Sequence, residues 1–286
     1  MQKARFVNSF DFATLLLCRF VTSFIGEIME NLEKQIREQI CEVGRRLWLK
    51  GWVASNDGNI SMRLGDSYVI TTPTGVSKGF MSPDMLMKVD LDGNIRSGYL
   101  KPSSEIKIHL EAYRRRDDVR GVVHAHPPVS TGYAVANIPL DSQTLPEIVI
   151  CLGQVPLAKY ATPSTSELSD SISELILCHN AILLANHGVV TLGADVMDAY
   201  YKMESVELFA QISLTAQKLG GARKFTPPEV KKLEDVREQF GILIGGSACI
   251  SCGKCTGTCG LEQSTKSEYE DLVAEITTKI MKEMKV

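Results

Sequence analysis

Two histidines that alternate within an apolar stretch constrain this chain more than any other feature. His124 and His126 lie in Gly121-Val-Val-His-Ala-His-Pro-Pro128, and a third histidine, His187, follows in Leu184-Ala-Asn-His-Gly188. Since side chains two residues apart on a strand point to one face, the pair predicts a strand that brings two imidazoles together. Three imidazoles suit zinc and leave one coordination position open, which is typical of catalytic sites. The alternative is that these histidines make ordinary hydrogen bonds within a sheet.

The histidines belong to a set of short motifs that follow one another along the chain. In order, these are Gly58-Asn-Ile-Ser61, Thr71-Thr-Pro-Thr-Gly75, Pro102-Ser-Ser-Glu105, Val123-His-Ala-His126 and Asn186-His-Gly188. A long helix is predicted behind them, at about residues 195–219. In order and spacing the motifs resemble the class II aldolases of the L-fuculose-phosphate aldolase type, a family that also includes sugar-phosphate epimerases and adducin head domains. The resemblance covers residues 29–221, about two thirds of the chain.

This resemblance implies roles for individual residues. It implies that His124, His126 and His187 bind zinc. It also implies that Glu105 transfers a proton at the carbon where the bond is formed or broken. A carboxylate beside a zinc-bound ketose can accept a proton while the metal stabilises the enediolate oxygen. In the related ribulose-phosphate epimerases an aspartate usually stands at this position, so the glutamate favours an aldolase. The alternative for Glu105 is an ordinary first-turn glutamate that the helix dipole stabilises.

A second group of residues is implied to bind the phosphate of the substrate. Its members are Asn59, Thr74, Gly75, Ser103 and Ser104. Amide, hydroxyl and backbone N–H groups bind phosphate well, especially where a loop leads into a helix N-terminus. Ser103 and Ser104 precede an apolar helical run that begins at Ile106, so either serine is a candidate N-cap. Helix capping alone is the alternative role for these two serines.

The reaction implied by the family is an aldol cleavage. We expect a zinc-dependent aldolase that converts a deoxyketose 1-phosphate, with L-fuculose 1-phosphate as first choice, to dihydroxyacetone phosphate and an aldehyde such as lactaldehyde. The tyrosine that the family uses as an acid on the aldehyde side has no counterpart in Leu145-Pro-Glu-Ile-Val149, where Glu147 stands. The alternatives are a sugar-phosphate epimerase or dehydratase of the same fold, and a non-catalytic, adducin-like interaction module. The family also implies a homotetramer of fourfold symmetry, with sites at the subunit interfaces.

Composition limits the size and the partners of the protein. The 286 residues are 44% apolar and carry a formal charge of −3, which allows one sizeable core with a small appendage. The near-neutral charge provides no basic surface, so we expect no nucleic-acid partner. Apolar runs are interrupted by charges before they reach the length of a membrane span, so we expect no membrane partner. The cysteine-rich C-terminal part favours a reducing, cytoplasmic location.

Local patterns predict the fold class. Apolar residues at helical spacing predict an amphipathic helix from Leu32 to Gly51, and a further helix is predicted at 166–177. Strand-like segments are found at 67–72, 121–124, 148–152 and 181–185. Their alternation predicts an α/β layered domain, and the resemblance implies a central, largely antiparallel sheet flanked by helices. Two histidines are expected outside the site: His109 as a packing residue and His179 at the surface.

The predicted domain extends over residues 29–222, with other segments on either side. Residues 1–28 are expected to be a poorly ordered extension outside the family. Residues 223–246 are expected to form a helix and a linker, with the helix opened by Thr226-Pro-Pro-Glu229. Two further segments, 247–260 and 264–286, have compositions that the family does not account for.

The segment 247–260 is dense in cysteine. Its four cysteines are Cys249, Cys252, Cys255 and Cys259. This spacing matches the bacterial ferredoxin run, with Gly260 where a proline usually stands. Four thiolates at these separations favour a [4Fe–4S] cluster, with zinc as second choice. Unligated redox cysteines are the alternative.

The last segment, 264–286, predicts an amphipathic helix. Ser267 and Glu270 have the spacing of a capping box. An apolar stripe follows, formed by Leu272, Val273, Ile276, Ile280 and Met284. Such a helix behind a flexible stretch resembles the encapsulation peptides that carry enzymes into bacterial microcompartments, so the shell is a candidate partner. The alternative is a helix that docks on its own tetramer.

Overall fold

The chain folds around one mixed sheet with helices on both faces. The computed structural model describes residues 10–140 and 143–242. Within these residues the helices are α1 (Phe10–Leu49), α2 (Ile106–Arg115), α3 (Pro128–Val135), α4 (Pro146–Cys151), α5 (Ser166–Cys178), α6 (Val196–Lys218) and α7 (Pro227–Gln239). The strands are β1 (Asn59–Leu64), β2 (Tyr68–Thr71), β3 (Met87–Asp90), β4 (Ile95–Ser97), β5 (Gly121–Ala125), β6 (Leu157–Ala158), β7 (Ala181–Leu184) and β8 (Gly188–Gly193).

The eight described strands form one sheet in the order β4-β3-β2-β1-β5-β8-β7-β6. All neighbours are antiparallel except β6 and β7, which are parallel. The expected α/β fold with a largely antiparallel central sheet is therefore confirmed. Strand β5 lies between β1 and β8, and His124 is paired with Asn59 on one side and with Val190 on the other. The predicted histidine strand is thus a central strand of the sheet.

The two faces of the sheet pack against different helices. On one face, apolar side chains of α1 and α6 form a core with Val123 and Ala125 of β5. On the other face, Val122 packs with apolar side chains of α2 and α5. Because neighbouring side chains on a strand point to opposite faces, His124 lies on the face of Val122, beneath α2. The fold therefore places the first histidine under the helix that follows Glu105.

Most of the predicted elements are present. The segments 67–72, 121–124 and 181–185 correspond to β2, β5 and β7, and the helices predicted at 166–177 and 195–219 correspond to α5 and α6. Helix α7 begins with a capping box, in which the Glu229 carboxylate accepts hydrogen bonds from the backbone N–H and the hydroxyl of Thr226. The turn signals in the sequence therefore located this helix correctly.

The strand predicted at 148–152 is wrong, because this segment lies in helix α4. Pro146 occupies the first turn of the helix, where its missing N–H group costs nothing. Ile148 and Val149 are buried, and α4 packs against α7 rather than in the sheet. A short apolar run is compatible with a buried strand or a buried helix, and here the proline and the contact with α7 determine the outcome.

Two other expectations also differ from the structure. Helix α1 begins at Phe10, so residues 10–28, which were expected to be poorly ordered, are helical. Residues 10–25 contain no proline or glycine that would end the helix. His179, expected at the surface, is only 3% exposed. The guanidinium of Arg116 donates hydrogen bonds to the carbonyls of Ile176 and His179, which draws this turn into the interior.

Several sequence-based expectations concern residues outside the described ranges. They are the four-cysteine segment 247–260, the tail helix 264–286 and the part of the N-terminal extension before Phe10. Within the part of the chain that the structure describes, no helix combines the length and the apolar character of a membrane span.

Burial of His109 predicts how stability depends on pH. Its ring is fully buried against Ser61, and burial lowers the pKa of His109 to about 3. In the unfolded chain the pKa of a histidine is about 6.5. As pH falls below about 6.5, the unfolded state therefore binds a proton that the folded state excludes, and the free energy of unfolding decreases by about 1.4 kcal/mol per pH unit.

We expect His109→Asn to remove this part of the pH dependence. The measurement is urea-induced unfolding of the metal-free protein at several values between about pH 4.5 and 7. The slope of unfolding free energy against pH should be smaller in the variant by about 1.4 kcal/mol per pH unit. Equal slopes for the variant and the natural chain would contradict a contribution of buried His109 to the pH dependence of stability.

Candidate active site

Three histidines converge where the loop between β7 and β8 passes the end of β5. His124 is in β5, His126 follows that strand directly, and His187 lies in the short turn before β8. Their ring centroids are 4.7–5.3 Å apart, and one ligand atom from each ring lies within 4.8 Å of the others. Gly188 makes this approach possible, because a Cβ atom there would lie 2.5 Å from Cδ2 of His126. The geometry therefore allows one metal ion to contact all three rings.

Hydrogen bonds fix the orientation of two of these residues. Nδ1 of His124 lies 2.9 Å from the carbonyl oxygen of Val189, which accepts its proton and leaves Nε2 as the free nitrogen. That Nε2 faces Nε2 of His126 at 3.2 Å. The backbone N–H of His126 donates to the carbonyl of Trp52 at 2.9 Å, which anchors the residue beyond the end of the strand. Both ring nitrogens thus point toward a common centre.

The environment favours the neutral form of two of the imidazoles, those of His124 and His187. Burial, with the neighbouring histidines as a further cause, holds the pKa of His124 well below its usual value. Burial also lowers the pKa of His187, although the nearby carboxylate of Glu105 acts in the opposite direction. Neutral imidazole is the form that binds a metal ion. Desolvation therefore prepares these rings as ligands at ordinary pH.

The carboxylate of Glu105 lies beside the histidines. Its Oε1 is 3.3 Å from Nε2 of His187, and its Oε2 is 3.4 Å from Nε2 of His124. The amide of Asn59 donates to Oε2 at 2.8 Å and so fixes the carboxylate. Glu105 is itself the N-cap residue of α2. The prediction of Ser103 or Ser104 as N-cap is therefore wrong, because the helix begins at Ile106, directly after Glu105.

The five residues assigned to phosphate binding occupy two neighbouring places. Thr74 and Gly75 are exposed in the loop after β2, and the N–H of Thr74 donates to the carbonyl of Lys101 at 2.9 Å. This joins their loop to the one that carries Ser103 and Ser104. Both serine hydroxyls already have partners: Ser104 contacts Ser164 at 2.8 Å, and Ser103 accepts from the N–H of Glu105 at 3.3 Å.

Asn59 lies apart from these loops, since its amide donates to Glu105. Its Oδ1 is buried and has no hydrogen-bond partner within the described residues. Thus the structure brings together the two loops that carry Thr74–Gly75 and Ser103–Ser104, whereas Asn59 lies beside Glu105 and opposite His124. Glu147, which occupies the place of the family's tyrosine, is exposed in the first turn of α4.

Sequence reasoning missed a buried lysine that holds two loops of the site together. Lys78 is 1% exposed, and its ammonium group donates to the carbonyls of Asn56 at 2.9 Å and Val76 at 2.8 Å. Burial lowers its pKa to about 8. These bonds connect the turn before β1 with the loop of Thr74. A single lysine forms no pattern in the sequence, so only the fold reveals its partners.

The chain is similar in sequence and fold to known proteins of one family. The family model for the class II aldolase and adducin N-terminal domain matches residues 38–214. An L-fuculose phosphate aldolase of Methanocaldococcus jannaschii is 35% identical over 62% of this chain and 95% of its own. A 3-oxo-tetronate 4-phosphate decarboxylase of Haemophilus influenzae is 34% identical over 70% of this chain and 96% of its own. The crystal structure of L-fuculose-1-phosphate aldolase from Thermus thermophilus, 30% identical, superposes with a TM-score of 0.56 and covers 67% of this chain and 98% of that one.

We expect His126→Ala to lose bound zinc, because a site of three imidazoles then has only two protein ligands. The zinc content of the purified full-length protein should fall by one equivalent per chain. His179→Gln serves as control, since this histidine lies outside the cluster, and it should retain the natural zinc content. Retention of that equivalent in His126→Ala would contradict the three-histidine site.

Proposed function

We propose that this chain, which belongs to the class II aldolase and adducin family, is a zinc-dependent lyase that breaks a carbon–carbon bond in a phosphorylated sugar. One observation carries the proposal: a single carboxylate, that of Glu105, lies 3.3–3.4 Å from two of three converging imidazoles. A metal ligand set with an acid–base group beside it is what such a cleavage requires. An adducin-like module without catalysis has no need of either.

The residues present fit a zinc ion. Nε2 of His124 and Nε2 of His126 face each other at 3.2 Å, and neutral nitrogens that approach in this way need a cation or a proton between them. The carbonyl of Val189 accepts from the opposite nitrogen of His124, as backbone groups commonly do for ligating histidines. When bound there, zinc supplies a Lewis acid that stabilises negative charge on the substrate.

Glu105 then moves the proton. When the bond breaks, the carbon next to the carbonyl group retains the electron pair and needs a proton. The carboxyl of Glu105 delivers that proton, and in the reverse direction the carboxylate removes it. Asn59 holds Oε2 at 2.8 Å, so the carboxylate is fixed against rotation. The proton therefore has one defined donor.

The phosphate of the substrate binds to two loops that lie next to Glu105, and not to Glu105 itself. The loops of Thr74–Gly75 and Ser103–Ser104 lie side by side, at the end of the sheet that leads into α2. The helix N-terminus favours an anion there. Glu105 follows Ser104 directly, so a substrate anchored by its phosphate on these loops extends toward the histidines. This arrangement favours a small sugar with one terminal phosphate.

The first candidate reaction is the cleavage of L-fuculose 1-phosphate to dihydroxyacetone phosphate and lactaldehyde. It is supported by relatives named L-fuculose phosphate aldolase at 35% identity. Aldol cleavage also removes a proton from the hydroxyl group that becomes the aldehyde. The family uses a tyrosine on that side, whereas the segment Leu145–Val149 offers only Glu147.

The second candidate reaction is the decarboxylation of a 3-oxo acid phosphate, and the missing tyrosine favours it. Loss of carbon dioxide from a 3-oxo acid leaves the same kind of electron pair beside a carbonyl, but no hydroxyl proton has to be removed. Glu105 and the three histidines are then sufficient. Relatives named 3-oxo-tetronate 4-phosphate decarboxylase reach 34% identity, about as much as the aldolases.

A direct assay distinguishes the two reactions. The zinc-loaded protein should release either lactaldehyde from L-fuculose 1-phosphate or carbon dioxide from 3-oxo-tetronate 4-phosphate, with dihydroxyacetone phosphate formed in each case. Both products can be followed by mass spectrometry. An epimeric sugar phosphate without cleavage would contradict the lyase, as would a lack of conversion of either compound and of other ketose 1-phosphates.

For whichever substrate is cleaved, Glu105→Gln should reduce turnover by about two to four orders of magnitude, the usual contribution of a general acid or base. The amide has the shape of the carboxyl group but carries no transferable proton. Zinc content should remain unchanged. Glu111→Gln, on the same helix and outside the site, should keep its activity. Turnover of Glu105→Gln near the natural value would contradict the role of this residue in proton transfer.

We propose an accessory role for the C-terminal segments, supported by their sequence patterns alone. The four cysteines of 247–260 would hold a [4Fe–4S] cluster, and 264–286 would attach a cytoplasmic homotetramer to a microcompartment shell. Aldol cleavage and decarboxylation involve no net oxidation or reduction, so neither reaction requires the cluster. Both segments lie outside the proposed catalytic domain at 29–222. The family match at 38–214 lies within that domain.

Anaerobically purified protein should therefore contain iron and acid-labile sulfide, with a broad visible absorption. Replacement of Cys252 and Cys255 by serine should remove all three without loss of cleavage activity, because the cluster lies outside the proposed site. One additional zinc per chain in place of iron would instead favour a structural zinc site.

A further inference from the structure

A buried carboxylate on α6 has no part in the proposed reaction. Glu207 is 1% exposed, and a buried carboxylate is costly unless hydrogen bonds satisfy it. Its Oε2 accepts from the N–H of Ser130 at 2.8 Å and from the Ser130 hydroxyl at 2.7 Å. Its Oε1 accepts from the N–H of Val129 at 3.1 Å and from the amide of Gln211 at 3.1 Å. Both oxygens are thus committed to partners, and three of the four bonds go to the first turn of α3.

Helix α3 cannot cap itself. Its N-cap residue is Pro127, which has no polar side chain, and no side-chain cap bond is formed from that position. The first N–H groups of a helix lack intrahelical partners and attract negative charge. Glu207 supplies that charge from a helix that is distant in sequence. It performs the function that Ser, Asp or Asn at the N-cap performs in other helices.

Helix α3 begins two residues after His126, one of the three histidines of the proposed metal site. His126 is followed directly by Pro127 and Pro128, whose rings fix φ and restrict the residue before each of them. On its other side, the N–H of His126 donates to Trp52 at 2.9 Å. The backbone of His126 is therefore held between two anchors, Trp52 before it and the Glu207-bound turn after it.

We propose that Glu207 is a positioning residue for the metal site, which acts on zinc through His126. By binding the first turn of α3, it fixes the direction in which the chain leaves β5 and with it the place of the His126 ring. The inference rests on the proposed zinc site. Since α6 packs against both β5 and β8, Glu207 also links the first turn of α3 to the central sheet.

The test is a double-mutant cycle on zinc affinity in the full-length protein, measured by competition with a chromophoric chelator. Glu207→Ala should weaken zinc binding by about 10- to 100-fold, the effect of losing a residue that orients a ligand. In the His126→Ala background the same substitution should cause no further loss. Glu204→Gln, one turn earlier on α6, is the control and should leave the affinity unchanged.

Thermal unfolding of each metal-free variant separates positioning from general destabilisation. If Glu207→Ala does not fold, Glu207→Gln provides the test, because the amide keeps one accepting oxygen and should give a smaller loss in the same direction. Natural affinity in a folded variant would overturn the inference, as would losses that add in full across the cycle. These results would leave the proposed function intact. If zinc binding by the natural chain did not depend on His126, both the proposed function and the inference about Glu207 would be overturned.

Discussion

The antiparallel pairing of β5 with β1 and β8 is the constraint on which the site depends. It sets His124 opposite Asn59 on one side and opposite Val190 on the other. The first pairing brings the amide of Asn59 to Glu105, and the second brings the turn with His187 over the end of β5. A shift of either register by one residue would turn His124 to the opposite face. The chemistry therefore depends on backbone hydrogen bonds in the middle of the sheet.

Burial and nearby charges are a second constraint on the site. Burial holds the pKa of His124 and of His187 below the usual value, and the carboxylate of Glu105 lies against both rings. In the proposed reaction the carboxylate of Glu105 would exchange a proton with the substrate, and its negative charge would favour a cation on the neighbouring histidines. Buried charges elsewhere, Lys78 and Glu207, are bound by backbone groups of the surrounding loops. In the proposed mechanism Lys78 and Glu207 maintain the shape of the site, whereas Glu105 takes part in the reaction.

The sequence predicted those parts of the fold and site that rest on local patterns. The alternation of His124 and His126 located the central strand, and Thr226 with Glu229 located the start of α7. Contacts between distant segments left no such pattern. Glu207 binds a turn 77 and 78 residues away, so neither its burial nor its partners could be inferred. The strand prediction at 148–152 was wrong for a different reason, because a short apolar run can be buried in a helix as well as in a strand.

The three-histidine zinc site can be tested by X-ray absorption at the zinc edge of the full-length protein, loaded with one equivalent of zinc. We expect nitrogen and oxygen ligands at about 2.0–2.1 Å from the zinc, with the scattering pattern of imidazole. The imidazole contribution should decrease in His126→Ala. A first shell of sulfur at about 2.3 Å would place the ion on cysteine thiolates, and it would contradict a catalytic zinc held by the three histidines.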